Sequence, residues 1–219
     1  IENLPDLNET ITVPEDIFEE LTAQDASVAG FNPYEQPTVR DLLYGVLLPS
    51  GADACETLAR AVGGSEEGFV AMMNQKAEEL GLTNTHFENC TGLHNDNHYS
   101  TCRDIAVLMS ECLKSDTFRE IVTREVYTTE ATASHPEGIT LYDTMLHRFT
   151  SYEMSTTLEN GAVIEGGKTG FTDEAGQCLV SFAEYGGEEY ILVTAEAMTD
   201  SGSAVDSIAD ASTVYGRLQ

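Results

Sequence analysis

Gly166-Gly167-Lys168-Thr169-Gly170-Phe171-Thr172 is the stretch whose reading decides the fold. It follows the apolar pair Val163-Ile164 and precedes two strand-like runs, so it reads as the end of one strand and the entry to a hairpin. Lys168 brings a positive charge, Thr169 a hydroxyl beside it, and Gly170 a position without a side chain against which another backbone can lie. Those three features suit an extended peptide ending in a carboxylate. Alone, they suit a glycine-rich turn with a surface lysine better, because short motifs of this kind recur by accident.

The surrounding chain narrows the choice. Its 219 residues fit one domain, and 41% of them are hydrophobic, enough for a core of useful size. With 10 basic and 38 acidic residues the net charge is −28, which disfavours nucleic acid and anionic lipid as partners. No run approaches the roughly 20 apolar residues that span a bilayer, and no signal peptide is visible. Ile1-Glu2-Asn3-Leu4 reads as the tail of a helix.

Residues 1–37 are acidic and punctuated by Pro5, Pro14, Pro33 and Pro37, with Ile11-Thr12-Val13 as a short strand candidate. Thr38-Val39-Arg40-Asp41 is a capping-box pattern opening a helix that carries Leu42, Leu43, Val46 and Leu47 and stops at Pro49. Ser50-Gly51 breaks the chain before a second helix from about Ala52 to Val62, ended by Gly63-Gly64. Ser65 caps a third helix, which Gly81 terminates. Residues 82–99 form a loop rich in Asn, His and Gly, and Thr101 with Asp104 caps the next helix. Residues 116–160 are mixed, with strand character at Val126–Thr129 and Ile139–Tyr142. Cys178–Ala183 and Tyr190–Ala195, joined by Gly186-Gly187, form a hairpin apolar on both faces, so helices should cover it. Ser203 to Leu218 closes the chain as a helix.

Alone, Ser50 reads as a helix cap or as a proton relay at a cleft. The wider series resolves this. Arg40-Asp41-Leu42-Leu43-Tyr44-Gly45-Val46-Leu47-Leu48-Pro49-Ser50-Gly51, Asn89-Cys90-Thr91-Gly92-Leu93-His94 with Asn97-His98-Tyr99-Ser100-Thr101, and Gly166 to Thr172 with Ala175-Gly176 occur in that order. Together they resemble the serine D-alanyl-D-alanine carboxypeptidases among the low-molecular-mass penicillin-binding proteins, over nearly the whole chain. The resemblance implies an α/β (α+β) fold like that of the serine β-lactamases: an antiparallel sheet flanked by helices plus a helical region. The helical region would cover about 38–125, and the sheet and closing helix about 160–219, within a single domain over 1–219.

Such enzymes use three motifs, Ser-x-x-Lys, Ser-x-Asn and Lys-Thr-Gly. The resemblance makes Ser50 the serine of the second, passing a proton to the leaving amine. It makes Lys168 the lysine of the third, supporting that relay and supplying positive field for the substrate carboxylate. Thr169 would hydrogen-bond that carboxylate, Gly170 would let the peptide lie along the strand, and the Phe171 N–H would be one oxyanion-hole donor. Substrate contact at Ala52 departs from the pattern, since the family's Asn stands there. The second departure is larger. No Ser-x-x-Lys occurs in the 219 residues, and Ser110 to Lys114 has one residue too many. The resemblance places that motif shortly before Ile1, together with strands that complete the sheet, so the sheet is incomplete in this chain and the fragment alone lacks its nucleophile.

The implied function is removal of the terminal D-Ala from peptidoglycan stem peptides through an acyl-enzyme, with acylation by β-lactams, outside the cytoplasm. The alternative is a homologue that grips stem peptides or a partner and turns nothing over. Partners are then D-Ala-D-Ala peptides, β-lactams and the missing N-terminal segment, with no cofactor or metal expected. Cys90, His94, His98 and Cys102 offer a competing zinc set, a Cys90–Cys102 disulfide, or histidines that anchor the loop by hydrogen bonds. Cys112 and Cys178 read as buried thiols. Glu66-Glu67 and Glu78-Glu79 read as solvated, and His86, His135 and His147 show no partner pattern.

Overall fold

The computed structural model describes residues 1–197 and 205–219. In chain order the elements are α1 (Ile17–Ala23), α2 (Val39–Leu47), α3 (Ala52–Gly63), α4 (Glu66–Glu79), α5 (Cys102–Cys112), α6 (Asp116–Val122), β1 (Val126–Thr128), β2 (Thr140–Tyr142), α7 (Leu146–Ser151), β3 (Val163–Thr172), β4 (Gly176–Tyr185), β5 (Glu188–Ala197) and α8 (Asp206–Tyr215). They divide into two compact units, residues 1–99 with 125–143, and residues 100–124 with 144–219.

The first unit is helical. Thr38 forms the expected capping box, its hydroxyl accepting from Asp41 N–H while the Asp41 carboxylate accepts from Thr38 N–H. The same fully buried carboxylate accepts from the Tyr127 hydroxyl at 2.9 Å and Glu130 N–H at 3.1 Å. One cap residue thereby ties the β1–β2 hairpin to α2, and the stacked Tyr44 and Tyr127 rings, 3.7 Å apart, seal the joint. α3 ends on Gly64 at φ +77°, the left-handed cap that glycine adopts without strain. Ser65 caps α4 by accepting from Gly68 N–H.

The second unit is a three-stranded antiparallel sheet in the order β3-β4-β5. β4 is apolar on both faces, as its sequence predicts. Leu179 and Ala183 join Ile164, Met145 and Phe149 in a core with Ile208, Ala211 and Tyr215 of α8. Phe182 and Val180 pack with Met109 and Leu113 at the end of α5, and with Val122 of α6. Tyr215 anchors α8 to the sheet by donating from its hydroxyl to the Ser181 carbonyl at 2.9 Å, and burial pushes that phenol up to about 12.

Several local expectations change. Ile1 to Leu4 is not helical. Ile11 and Val13 donate to Pro37 and Glu35 carbonyls, but only a single bridge, Thr10 with Thr38, forms there. α1, α6 and α7, of six or seven residues each, lie in stretches that read as irregular or mixed. The decisive seven residues are, as expected, the end of β3 and lead into its antiparallel hairpin with β4. Cys112 and Cys178 are half-buried. The expected start of the last helix, Ser203, lies outside the described residues.

Candidate active site

Ser50 stands in the first unit, in the link between α2 and α3. It does not cap α3; Gly51 occupies the cap position without a side-chain bond. Ser50 itself has φ +62°, a conformation rare for residues with a side chain. The link is held from below. A Cβ on Gly51 would lie 2.6 Å from Ala29 Cβ and 2.8 Å from the Gly45 carbonyl oxygen, so only glycine fits. Gly51 N–H donates to Gly45 O at 2.8 Å and Ala52 N–H to Ser27 O at 2.8 Å. Asp53, fully buried, accepts from three successive backbone N–H groups: Ala29 at 2.7 Å, Gly30 at 3.0 Å and Phe31 at 3.0 Å. That carboxylate clamps residues 29–31 beneath the link. Sequence reasoning missed it, although its place three residues after Ser50 was the available signal. Ala52 presents a buried methyl and no side-chain donor or acceptor.

Lys168 to Phe171 stand in the second unit, on an outer strand of the sheet. Lys168 is opposite Val180, Thr169 opposite Leu179 and Gly170 opposite Cys178. The register shifts between Ile164 and Gly166, a bulge that re-aims the side chains following it. The Lys168 ammonium donates to the Thr169 carbonyl at 2.8 Å. The Thr169 hydroxyl, almost buried, shares a 2.6 Å hydrogen bond with the Thr144 hydroxyl, a partner the sequence did not signal.

The three glycines differ in cause. A Cβ on Gly166 would lie 2.4 Å from the Val122 carbonyl oxygen, and one on Gly167 2.4 Å from that of Val180. At Gly170 only Cys178 Cβ comes within 4 Å, at 3.8 Å. Internal packing therefore demands the first two glycines and not the third, which is exposed beside Phe171.

A bulged outer strand carrying Lys-Thr-Gly, and a glycine-backed serine link with a left-handed serine, are the features to set against known proteins. Residues 4–199 match the family described as Peptidase_S11, D-alanyl-D-alanine carboxypeptidase. The chain belongs to this family. D-alanyl-D-alanine carboxypeptidase DacF of Bacillus subtilis is 36% identical over 168 residues, 76% of this chain and 40% of that protein. A D-alanyl-D-alanine carboxypeptidase of a Streptomyces species is 35% identical over 191 residues, 84% of this chain and 63% of that protein. The chain thus spans roughly two fifths to somewhat under two thirds of these relatives. The crystal structure of a Streptomyces DD-transpeptidase superposes with a TM-score of 0.79 at 32% identity, over 96% of this chain and 79% of that one. The carboxypeptidase-family fold, a β-lactamase-like α+β arrangement, is the fold of this chain.

In the loop 82–99 of this family member the histidines make hydrogen bonds, the third of the alternatives above. His98 Nδ1 accepts from Glu88 N–H at 3.3 Å and its ring meets Phe87 edge-on; burial lowers its pKa, which suits an acceptor. His94 Nε2 lies 3.3 Å from Asp96 Oδ1. His86 Nε2 lies 3.0 Å from Glu88 Oε1, and His135 Nδ1 2.8 Å from Glu35 Oε1, partners that no spacing pattern showed. Cys90 sits beside Cys55: the Cys55 thiol donates to the Cys90 carbonyl at 2.9 Å. A hydrogen bond from Cys55, then burial, pushes the Cys90 thiol far up. Glu66 is no solvated surface carboxylate, since its Oε1 accepts from Cys90 N–H at 3.1 Å. Among the described residues no helix is long and apolar enough to cross a membrane.

Proposed function

We propose that the protein to which this chain belongs is a serine D-Ala-D-Ala carboxypeptidase that trims peptidoglycan stem peptides outside the cytoplasm and is acylated by β-lactams. The observation carrying this reading is Gly170: an exposed strand position kept free of a side chain without internal need, next to an ammonium and a threonine hydroxyl. A peptide backbone added along β3 occupies that space, and its terminal carboxylate meets Lys168 and Thr169. In this reading Thr144 holds the Thr169 hydroxyl in one orientation. The Phe171 N–H is the oxyanion donor, and Ser50 with Lys168 returns the proton to the departing D-Ala amine. The nucleophile and its lysine come from a Ser-x-x-Lys motif outside these 219 residues.

The alternative, a homologue that binds stem peptides without turnover, is favoured by one observation: Ala52 has nothing to hold a substrate amide where the family has Asn. A fluorescent penicillin added to the full-length protein separates the two. Covalent labelling, with release of D-Ala from a stem peptide, supports the enzyme. Binding of the peptide with neither label nor D-Ala release sinks it. In a labelling enzyme, Ser50→Ala and Lys168→Ala each lower the turnover rate by about 10²–10⁴-fold, with less than additive loss in the double variant.

A further inference from the structure

In the first unit three donors on separate elements converge: Glu56 on α3, Glu66 at the start of α4, and Cys90 in the loop 82–99, with Cys55 of α3 beside Cys90. One ligand atom each from Glu56, Glu66 and Cys90 lies within 4.8 Å of the others. The Cys90 thiol donates to Glu56 Oε1 at 3.5 Å, and the Cys55 thiol donates to the Cys90 carbonyl at 2.9 Å. We propose that Glu56, Glu66 and Cys90 form a binding site for a borderline-soft divalent cation of the zinc class.

Three observations carry it. First, the donors mix thiol sulfur with carboxylate oxygen. Thiolate disfavours magnesium and calcium, and one sulfur with two carboxylate oxygens, completed by a water in tetrahedral coordination, suits zinc. Second, the outer contacts that orient metal ligands are already made. Glu66 Oε1 is fixed by Cys90 N–H at 3.1 Å, which leaves its other oxygen to bind. Arg60 Nε lies 3.4 Å from Glu56 Oε2, which leaves Oε1 toward Cys90. Third, a cleft of about 220 Å³ opens beside the donors, lined by Glu56, Glu66, Asn89 and Thr91, and gives an ion an entry path. Zinc–sulfur and zinc–oxygen bonds of about 2.3 and 2.1 Å ask the side chains to draw in by roughly 1 Å. Binding exchanges the Cys90 thiol's proton for the cation and releases it to solvent; no electron moves.

The site is independent of the carboxypeptidase reading, because its readout is metal content. The full-length protein, chelator-stripped and kept reduced, is titrated with zinc and with cobalt. One equivalent of zinc is expected, and bound cobalt gives a thiolate charge-transfer band in the near ultraviolet. Cys90→Ser removes the band, and Glu66→Gln, which keeps the fold by circular dichroism, weakens zinc at least about tenfold. Cys178→Ser, in the other unit, changes neither. Three results overturn the proposal: substoichiometric zinc in the wild type, zinc affinity unchanged in Glu66→Gln, or a Cys55–Cys90 disulfide in protein isolated without reductant.

Discussion

Ser50 and Asp53 show how a single residue's role depends on what lies under it. Ser50 has a left-handed backbone in a link where glycine, not serine, supplies the cap. That conformation persists because Gly51 touches residue 29 and because Asp53 gathers three backbone N–H groups from residues 29–31. Replacing Asp53 by Ala strands donors in the interior, and an unmade buried hydrogen bond costs about 1–3 kcal/mol. Asp53→Ala is therefore expected to lower stability by about 2–5 kcal/mol, read as the shift of the urea midpoint. Penicillin labelling of the full-length protein should fall with it, as the link loses its support. A variant with unchanged midpoint would contradict the clamp. The serine was legible in the sequence through its neighbours in series; the aspartate was not, because its three partners lie 22 to 24 residues away.

At the scale of the element, β3 carries the test of what its glycines are for. A Cβ at Gly167 meets the Val180 oxygen and Met145 Sδ, so Gly167→Ala forces β3 off β4. It should cost about 1–3 kcal/mol, seen as a lower melting temperature. Gly170→Ala meets only Cys178 Cβ at 3.8 Å and should stay within about 0.5 kcal/mol of the parent. Its effect should fall on function instead, with acylation by penicillin reduced at least about tenfold as the peptide's lane is narrowed. If Gly170→Ala melts early and labels normally, the lane is elsewhere. The β4–β5 hairpin was legible because both its faces are apolar and Gly186-Gly187 supplies the left-handed turn at φ +64° and +84°. The bulge before Gly166 was not, since nothing in a local run of residues states where two strands fall out of step.

At the scale of the whole molecule, an acidic chain keeps some carboxylates where protonation hurts. Glu35 is buried, and burial alone would raise its pKa. Hydrogen bonds from Asn32 N–H, the Thr132 hydroxyl and His135 outweigh that and hold it below its ordinary 4.5. A depressed folded-state pKa contributes stability that is complete above the unfolded value and lost as pH falls through the folded one. The urea midpoint should therefore drop as pH is lowered from 6 through 4.5 toward 3. In Glu35→Gln the midpoint should be lower at pH 6 and the drop on acidification smaller. Equal slopes in both proteins would remove Glu35 from the account. The fold class was legible at this scale because motifs spread over the chain fell in family order. α1, α6 and α7 were not, being too short to show a period of their own.

The sequence by itself determined the features that depend on neighbours along the chain. The capping box at Thr38, the glycine stop at Gly64, the two-faced strand β4 and the family all rest on residue type and order. Only the tertiary structure decided which distant groups meet: Asp53 beneath residues 29–31, Thr144 on Thr169, Glu35 on His135, and Cys90 beside Cys55 rather than within a four-residue repeat. The physical reason is range. Caps, turns and periodicity act within a few residues, whereas a buried carboxylate or thiol takes whichever partner the packing of separate elements brings within about 3 Å.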